Sequence, residues 1–349
     1  MISLCMIVKN EEETLYKCLD SVKDFVQEII IVDTGSIDST KEIASKYTEN
    51  ICDFSWCNDF SKARNFSISK ASSDWILVLD ADEIITDFDI QYMQSFCIES
   101  NKKIVGRLKI VNEYEDEKGN KKYIERVNRV FNKNFFVYEG IIHEQIVPKN
   151  KEKYSTKNIG ITVNHIGYSK DVLNRTNKIE RNIALLKKVI EKDSKDPYLY
   201  YQLGKSYFMG KDYTNAYKAF IQALPLVDNF TYEYVEDLVE SYGYTLIHLN
   251  LFKEALDLLE YEQYYKNSPD FLFLLGFIYM NNSSFQKAAE TFLKCTNFKG
   301  GKIEGITSFL SLYNVGVIFE CLGLKAEAIK YYKMCGKYDL ALARIYNIK

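Results

Sequence analysis

The chain has no C-x-x-C pair, no glycine-rich phosphate loop, no marked excess of either charge and no apolar run of membrane length. Each absence narrows what it can be. The eight cysteines, at 5, 18, 52, 57, 97, 295, 321 and 335, are scattered, which removes a zinc ribbon and a thioredoxin-type dithiol and points to reduced thiols in a cytoplasmic protein. Neither G-x-G-x-x-G nor G-x-x-x-x-G-K-[ST] occurs, so dehydrogenase and kinase readings fall. Lys and Arg total 45 against 48 Asp and Glu, a net charge of −3, and no basic cluster carries the interleaved aromatics that follow a nucleic-acid backbone. The longest uncharged apolar run, 271–280, is half of the roughly 20 residues a membrane helix needs. Residues 1–8 lack a basic leader and a cleavage site and lead into Lys9-Asn10-Glu11-Glu12, so they read as a first strand and not as a signal peptide. Proline is scarce, with four copies at 148, 197, 225 and 269, and histidine scarcer, with three.

What is present is ample core material: 349 residues, 47% hydrophobic and 27% charged, enough for two domains. Up to about residue 170, apolar runs at 28–32 and 75–79 alternate with amphipathic stretches at 12–22 and 39–47, which is the β-α order of a mainly parallel sheet. The segment 109–145 is rich in β-branched and aromatic residues around Lys118-Gly119-Asn120, so a hairpin and a mixed sheet are expected. Beyond Leu173 the period is helical and the chain repeats. Tyr200, Leu203, Gly204, Tyr207, Ala216, Phe220 and Ala223 fall at positions 4, 7, 8, 11, 20, 24 and 27 of a 34-residue tetratricopeptide unit. Further frames start from Gly276 and Gly316, and a weaker one from Gly243, so the glycines step by 39, 33 and 40 (204 to 243, 243 to 276, 276 to 316). Pro197 and Pro269 precede their glycines by seven residues, where proline opens a helix. The expected organisation is an α/β domain over 1–172, a linker helix over 173–196 and about four tetratricopeptide repeats over 197–349.

The strongest chemical signal is the apolar run 75–79 ending in Asp80-Ala81-Asp82-Glu83. Clustered carboxylates at a strand's carboxyl end suit a hard divalent cation, although a D-x-D alone is as readily a turn or a cap. Two further apolar runs end the same way, one at Lys9-Asn10-Glu11 and one at Asp33-Thr34-Gly35-Ser36. Three polar strand ends within the first 82 residues describe a ligand-lined crevice, since α/β sheets bind at that edge. Of the histidines, His143 in Gly140-Ile141-Ile142-His143-Glu144 and His165 in His165-Ile166-Gly167-Tyr168 stand near these motifs, whereas His248 lies in a repeat helix and reads as structural. Arg126 and Arg129, with Arg175, Lys178 and Arg181 beyond the last strand, are candidates to reach a ligand, set against ordinary surface charge. Trp56 and Phe60 beside Asp59 are candidates for a pocket wall, set against core packing.

The set M-I-V-K-N-E-E (6–12), V-D-T-G-S-x-D-S-T (32–40), D-F-S-x-A-R-N (59–65) and L-D-A-D-E (79–83) resembles the inverting family 2 glycosyltransferases of GT-A fold. With repeats following, the chain is similar to a bacterial subgroup that includes peptide S-glycosyltransferases of the glycocin type and flagellin-modifying enzymes. The resemblance implies that Asp33 accepts from a uracil ring, that Glu11 lies near the ribose, that Asp80 contacts donor sugar or ribose, and that Arg64 contacts nucleotide or sugar. It implies that Asp82 holds Mn²⁺ or Mg²⁺ against the diphosphate. Of the basic residues between the motifs, Arg129 is expected as a further donor contact. Inverting transfer needs a general base at the acceptor nucleophile, for which Glu144 is the first choice and His143 the second. His165 is expected to complete the metal shell, as imidazole suits Mn²⁺; a pair Asp82 and His165 that binds no metal stays open. The expected activity is transfer from a UDP-sugar to a protein or peptide side chain, with the repeats holding the acceptor or a second copy of the chain. The alternatives are a glycan or lipid-linked acceptor, and a tetratricopeptide scaffold whose transferase domain is degenerate.

Overall fold

The structure, a computed structural model, describes residues 2–116, 119–166 and 178–348, with the side chains of all of these except 114–116 and 119–121. Of the described residues, 2–115 and 122–166 fall in one compact unit, and 178–348 together with 116 and 119–121 in another. Arg175 and the Gly167-Tyr168 pair lie outside the described residues.

In the first unit, strands β1 (Ile2–Val8), β2 (Glu28–Asp33), β3 (Ile51–Asp53), β4 (Trp75–Val78), β5 (Glu83–Phe88), β6 (Ile104–Asp116), β7 (Gly119–Asn132) and β10 (Ser155–His165) form one sheet in the order β3-β2-β1-β4-β7-β6-β10-β5. β8 (Phe136–Glu139) and β9 (Gln145–Pro148) form a separate antiparallel pair. β1 pairs in parallel with both β2 and β4, so the strand order reverses direction about β1 and a crevice opens beyond its carboxyl end. β7 joins β4 antiparallel and β5 joins β10 antiparallel, so the sheet is mixed, as the hairpin signal implied.

Successive side chains of a strand point to opposite faces, and the apolar runs fill both. Leu4, Met6, Ile31, Leu77 and Leu79 pack with Leu15 and Leu19 of α1 (Leu15–Val22). Cys5, Ile30, Ile76 and Val78 pack on the other side with Ile68 of α3 (Phe60–Lys70) and with Phe136 and Tyr138 of β8. The amphipathic stretches 12–22 and 39–47 give the short helices α1 and α2 (Thr40–Ala44), and α4 (Ile90–Phe96) follows β5. Asp59 and Asp89 cap α3 and α4 by accepting from the backbone N–H groups of Lys62 and Tyr92.

The second unit is helical. α5 (Lys178–Ile190), within the span 173–196 expected to hold a linker helix, buries Leu185 and Leu186 and packs on α6 (Pro197–Met209). Pairs follow as α6 with α7 (Tyr213–Ala223), α10 (Pro269–Asn281) with α11 (Phe285–Cys295), and α12 (Phe309–Cys321) with α13 (Lys325–Met334). The glycine of each first helix lies against the position-24 ring of its partner. A methyl group at Gly204, Gly276 or Gly316 would come within 2.3, 2.5 and 2.5 Å of Phe220, Phe292 and Tyr332. The Gly243 frame differs. α8 (Glu233–His248) is followed by a 3₁₀ segment, Glu254–Tyr261, that runs into α9 (Glu262–Tyr265), and Gly243 faces Leu258 and Leu274 where the other frames offer an aromatic. The long steps of 39 and 40 are taken up in the connections 224–232 and 296–308. In the second of these, the Asp270 carboxylate accepts from the backbone N–H groups of Lys302 and Ile303. His248 stacks on Tyr213 with ring centroids 4.1 Å apart, in keeping with a structural role.

Candidate active site

The carboxyl edge of β1, β2 and β4 gathers the motif residues, and local chemistry explains most of their spacing. After β2, Asp33 Oδ1 accepts from the backbone N–H groups of Gly35 and Ser36, both at 2.9 Å. Gly35 has φ +107°, a conformation that glycine adopts freely. The other oxygen, Oδ2, is buried and has no hydrogen-bond partner among the described residues. A buried carboxylate oxygen left open at a crevice is costly unless a ligand donor meets it.

The loop after β1 is stitched to the loop after β2. Asn10 N–H donates to Ser36 Oγ and Ile37 N–H to Asn10 Oδ1. Glu11 N–H donates to Thr40 Oγ1, Glu12 N–H to Asp38 Oδ2, and Ser39 N–H to Glu12 Oε2. The Glu11 carboxylate accepts from Thr14 Oγ1 at the start of α1. The polar runs 9–12 and 33–40 are thus the two halves of one hydrogen-bonded cradle.

After β4 the chain turns, with Glu83 N–H donating to Asp80 O, and the carboxylates enter a buried ion-pair network. Arg64 donates from Nη2 to Asp80 Oδ1 at 2.9 Å and from Nε to Glu144 Oε1 at 2.5 Å. Arg129 donates from Nη2 to Asp80 Oδ2 at 2.8 Å and to Glu83 Oε1 at 2.6 Å. Burial pushes the Asp80 carboxyl up, but the Arg129 and Arg64 guanidinium groups override it and hold it well below the usual carboxylate range. Burial raises Glu83 against the pull of Arg129. It also pushes the Tyr138 phenol up to about 12, so its buried OH stays protonated, without a partner among the described residues.

The motif around Arg64 is built for this network. Asp59 caps α3, Asn65 clamps β8 by bonding both the N–H and the C=O of Tyr138 (3.0 and 2.8 Å), and Arg64 between them is buried against the acids. Phe60 N–H donates to Ile141 O, which fixes the loop carrying His143 and Glu144. Trp56 and Phe60 meet edge to face at 4.7 Å. His143 has φ +51° and its carbonyl accepts from Gln145 Nε2; the ion pairs with Arg64 run to Glu144. Arg126 is exposed, and Lys178 and Arg181 lie on α5 of the second unit.

The second carboxylate of the D-x-D, Asp82, faces the end of β10, where Ile166 N–H donates to Asp82 O. Asp82 Oδ2 and His165 Nε2 are 3.1 Å apart. Two neighbouring ligands of an octahedral ion with bonds of about 2.1 Å would be about 3.0 Å apart, so the pair fits one edge of a metal shell. Among the described residues no group of three or more His, Cys, Asp and Glu side chains could hold an ion by itself. An ion here would draw its other ligands from water and from a bound phosphate, as Mg²⁺ commonly does.

Sequence reasoning missed Glu83 as the second partner of Arg129, Asn65 as the clamp on β8, and Asn112. Asn112 is a buried amide on β6 whose Oδ1 lies 2.7 Å from His165 Nδ1. Its one sequence signal is an amide directly after Ile110 and Val111.

Residues 3–166 match the model of glycosyl transferase family 2. A TPR repeat-containing protein of Synechococcus elongatus is 55% identical over 82 residues, 24% of this chain and 20% of that one. The SPbeta prophage-derived glycosyltransferase SunS of Bacillus subtilis is 29% identical over 228 residues, 60% of this chain and 50% of that one. Among solved structures, YrrB, described as a TPR protein with an unusual peptide-binding site, matches 50% of this chain and 87% of its own at 24% identity and a TM-score of 0.41. The chain spans half or less of the length of these two curated relatives. No helix among the described residues is long and apolar enough to cross a membrane.

Proposed function

We propose, from the premise that residues 3–166 form a glycosyl transferase family 2 domain, that the chain transfers a sugar from a UDP-sugar, with inversion, to a protein or peptide side chain in the cytoplasm. One observation carries the reading. The Arg64 guanidinium bonds the donor-side carboxylate Asp80 and the candidate base Glu144, 80 residues from Glu144 in sequence. Two chemically distinct duties, orienting a donor and receiving a proton, are thereby tied to one buried cation.

Asp33 Oδ2 accepts from the imide N–H of uracil, while Glu11 lies on the cradle beside the ribose. Asp80, held ionised by Arg64 and Arg129, accepts from hydroxyls of the donor. Asp82 and His165 would hold Mn²⁺ or Mg²⁺, and a bound ion would neutralise the charge developing on the leaving diphosphate. Glu144 keeps one carboxylate oxygen on Arg64 and receives the acceptor's proton on the other. The acceptor's lone pair forms the bond to the anomeric carbon as the bond to the diphosphate oxygen breaks on the opposite face, which inverts the centre. His143, next to it, is the second choice for that role. A thiol acceptor asks less of the base than a hydroxyl, because part of it is already thiolate near neutral pH. Stacked tetratricopeptide pairs form concave surfaces, which supports an extended polypeptide acceptor, or a second copy of the chain, on the repeats.

The test is UDP release from a panel of UDP-sugars with and without Mn²⁺, comparing the native chain with Asp82→Ala and Glu144→Ala. Release from one donor that needs both the metal and Asp82 is the expected result and names the sugar. No release from any donor, together with no UDP binding in calorimetry, would leave a non-catalytic scaffold as the better reading.

A further inference from the structure

We infer that Asn112, oriented by Glu125, is a positioning residue that fixes the tautomer of His165 and so aims an imidazole lone pair at Asp82. The inference rests on the proposed ion site but concerns a residue outside it.

The argument starts from strand register. β10 runs parallel to β6 with His165 opposite Asn112, and antiparallel to β5 with His165 opposite Glu83. The pleat therefore brings the Asn112 amide beside the imidazole, with Oδ1 2.7 Å from Nδ1. Which end of the amide faces the ring is decided by its other neighbours. The opposite end lies 2.8 Å from Glu125 Oε1 and 3.4 Å from the carbonyl oxygen of Tyr123, both on β7. A carboxylate and a backbone carbonyl only accept, so that end is the NH₂ group. Oδ1 is then left facing the ring, and it too only accepts, so Nδ1 of His165 must carry the hydrogen. In the neutral imidazole this places the lone pair on Nε2, the atom 3.1 Å from Asp82 Oδ2.

Two lone pairs facing each other at that distance repel unless a cation lies between them, either a proton that makes the ring an imidazolium or a metal ion. The chain Glu125, Asn112, His165 and Asp82 is thus a polarised row that ends in a cation-accepting pair. Asn112 is buried, so water does not compete for Oδ1, and an amide flip would set Oδ1 against the acceptor oxygens of Glu125 and Tyr123. This is how outer partners of metal-bound histidines set tautomer and ring angle, with losses of about 10- to 100-fold in affinity when they are removed.

The test has two readouts besides turnover. The chain has three histidines, so a long-range ¹H–¹⁵N spectrum of the metal-free protein at about pH 8, where an ordinary imidazole is neutral, resolves each ring; His165→Ala assigns the one of interest. The expected result is a hydrogen on Nδ1 of His165 in the native chain. The second readout is Mn²⁺ affinity in the presence of UDP, measured by paramagnetic resonance of the free ion. Asn112→Leu should shift the ring hydrogen to Nε2 and weaken Mn²⁺ about 10- to 100-fold. Asn112→Asp combined with Glu125→Gln restores an acceptor for Nδ1 and a donor to hold it, and should recover most of the affinity. An Nε2 hydrogen in the native chain would overturn the inference, and this measurement needs no variant to fold. Unchanged Mn²⁺ affinity in Asn112→Leu, with the affinity lost in His165→Ala, would overturn it while leaving the ion site standing. Unchanged affinity in both His165→Ala and Asp82→Ala would overturn the ion site itself.

Discussion

Replacing Arg64 by methionine tests the network that joins Asp80 to Glu144. Methionine has similar bulk, so the change removes charge and hydrogen bonds more than packing. The Arg64 side chain is 8% exposed and that of Glu144 10%, so Glu144 would be left as a nearly buried carboxylate without its cation. Asp80 keeps Arg129 and is 37% exposed at its side chain, so its share of the loss is screened by solvent. Breaking a buried pair from one side costs about 3–5 kcal/mol, and the Asp80 discount puts the expectation at about 3 kcal/mol. Both tryptophans, Trp56 and Trp75, lie in the first unit, so their emission reports its unfolding without the repeats. With a urea slope of about 2 kcal/mol per molar, the midpoint should fall by about 1.5 M. Adding Glu144→Gln should return a large part of that, because removing both partners of a buried pair is far less harmful than removing one.

The pH dependence has a definite sign. The folded Asp80 carboxyl titrates below its unfolded value of about 3.9. Its contribution is therefore present above that value and is lost as pH falls through the lower folded one, so the gap between native and Arg64→Met should narrow below about pH 4. A variant within about 0.5 kcal/mol of the native protein at pH 7, or strict additivity with Glu144→Gln, would refute the coupling.

Two further outcomes are expected. Gly276→Ala places a methyl group 2.5 Å from Phe292 and should destabilise the repeats by about 1–3 kcal/mol, read as a lower melting temperature in circular dichroism; Gly300→Ala, where a methyl meets nothing within 4 Å, should leave it unchanged, and equal effects at both sites would sink the packing argument. Asp33→Asn should weaken UDP binding at least about tenfold in calorimetry (about 1.4 kcal/mol), because the amide oxygen stays on the N–H groups of Gly35 and Ser36 and turns an NH₂ toward the imide N–H of uracil; native affinity in this variant would remove Asp33 from the nucleotide site.

What the sequence disclosed followed from short-range physics. Runs such as 29–32 and 75–78 are apolar on both faces because the strands are covered on both sides, and a run that stops in carboxylates marks where the sheet edge meets solvent. The repeats were legible because Gly204, Gly276 and Gly316 must yield space to a ring sixteen positions later. The second repeat was faint for the matching reason: the residue sixteen positions after Gly243 is Leu259 and not a ring, and its partner segment is 3₁₀. Partner choice was beyond reach. Nothing local says that Arg64 meets Glu144, that Arg129 meets both Asp80 and Glu83, or that Asn112 stands beside His165, since each depends on which strands become neighbours. That Leu185 and Leu186 of α5 find their partner in α6 is likewise something periodicity alone does not name.

The stitching of the loop after β1 to the loop after β2 has a thermodynamic side. Most of its bonds join a side chain of one loop to a backbone N–H of the other, so the cradle is closed by the protein's own groups and owes nothing to a ligand for its shape. A nucleotide arriving there as proposed would meet a surface already set, and the ordering cost of association would fall on the ligand's own torsions and not on the polypeptide. Substitutions at Ser36, Asp38 or Thr40, none of which the proposal assigns to the ligand, would then act as loosened fastenings: they would make the nucleotide do the ordering, and the penalty would appear as unfavourable binding entropy with the contacts themselves intact.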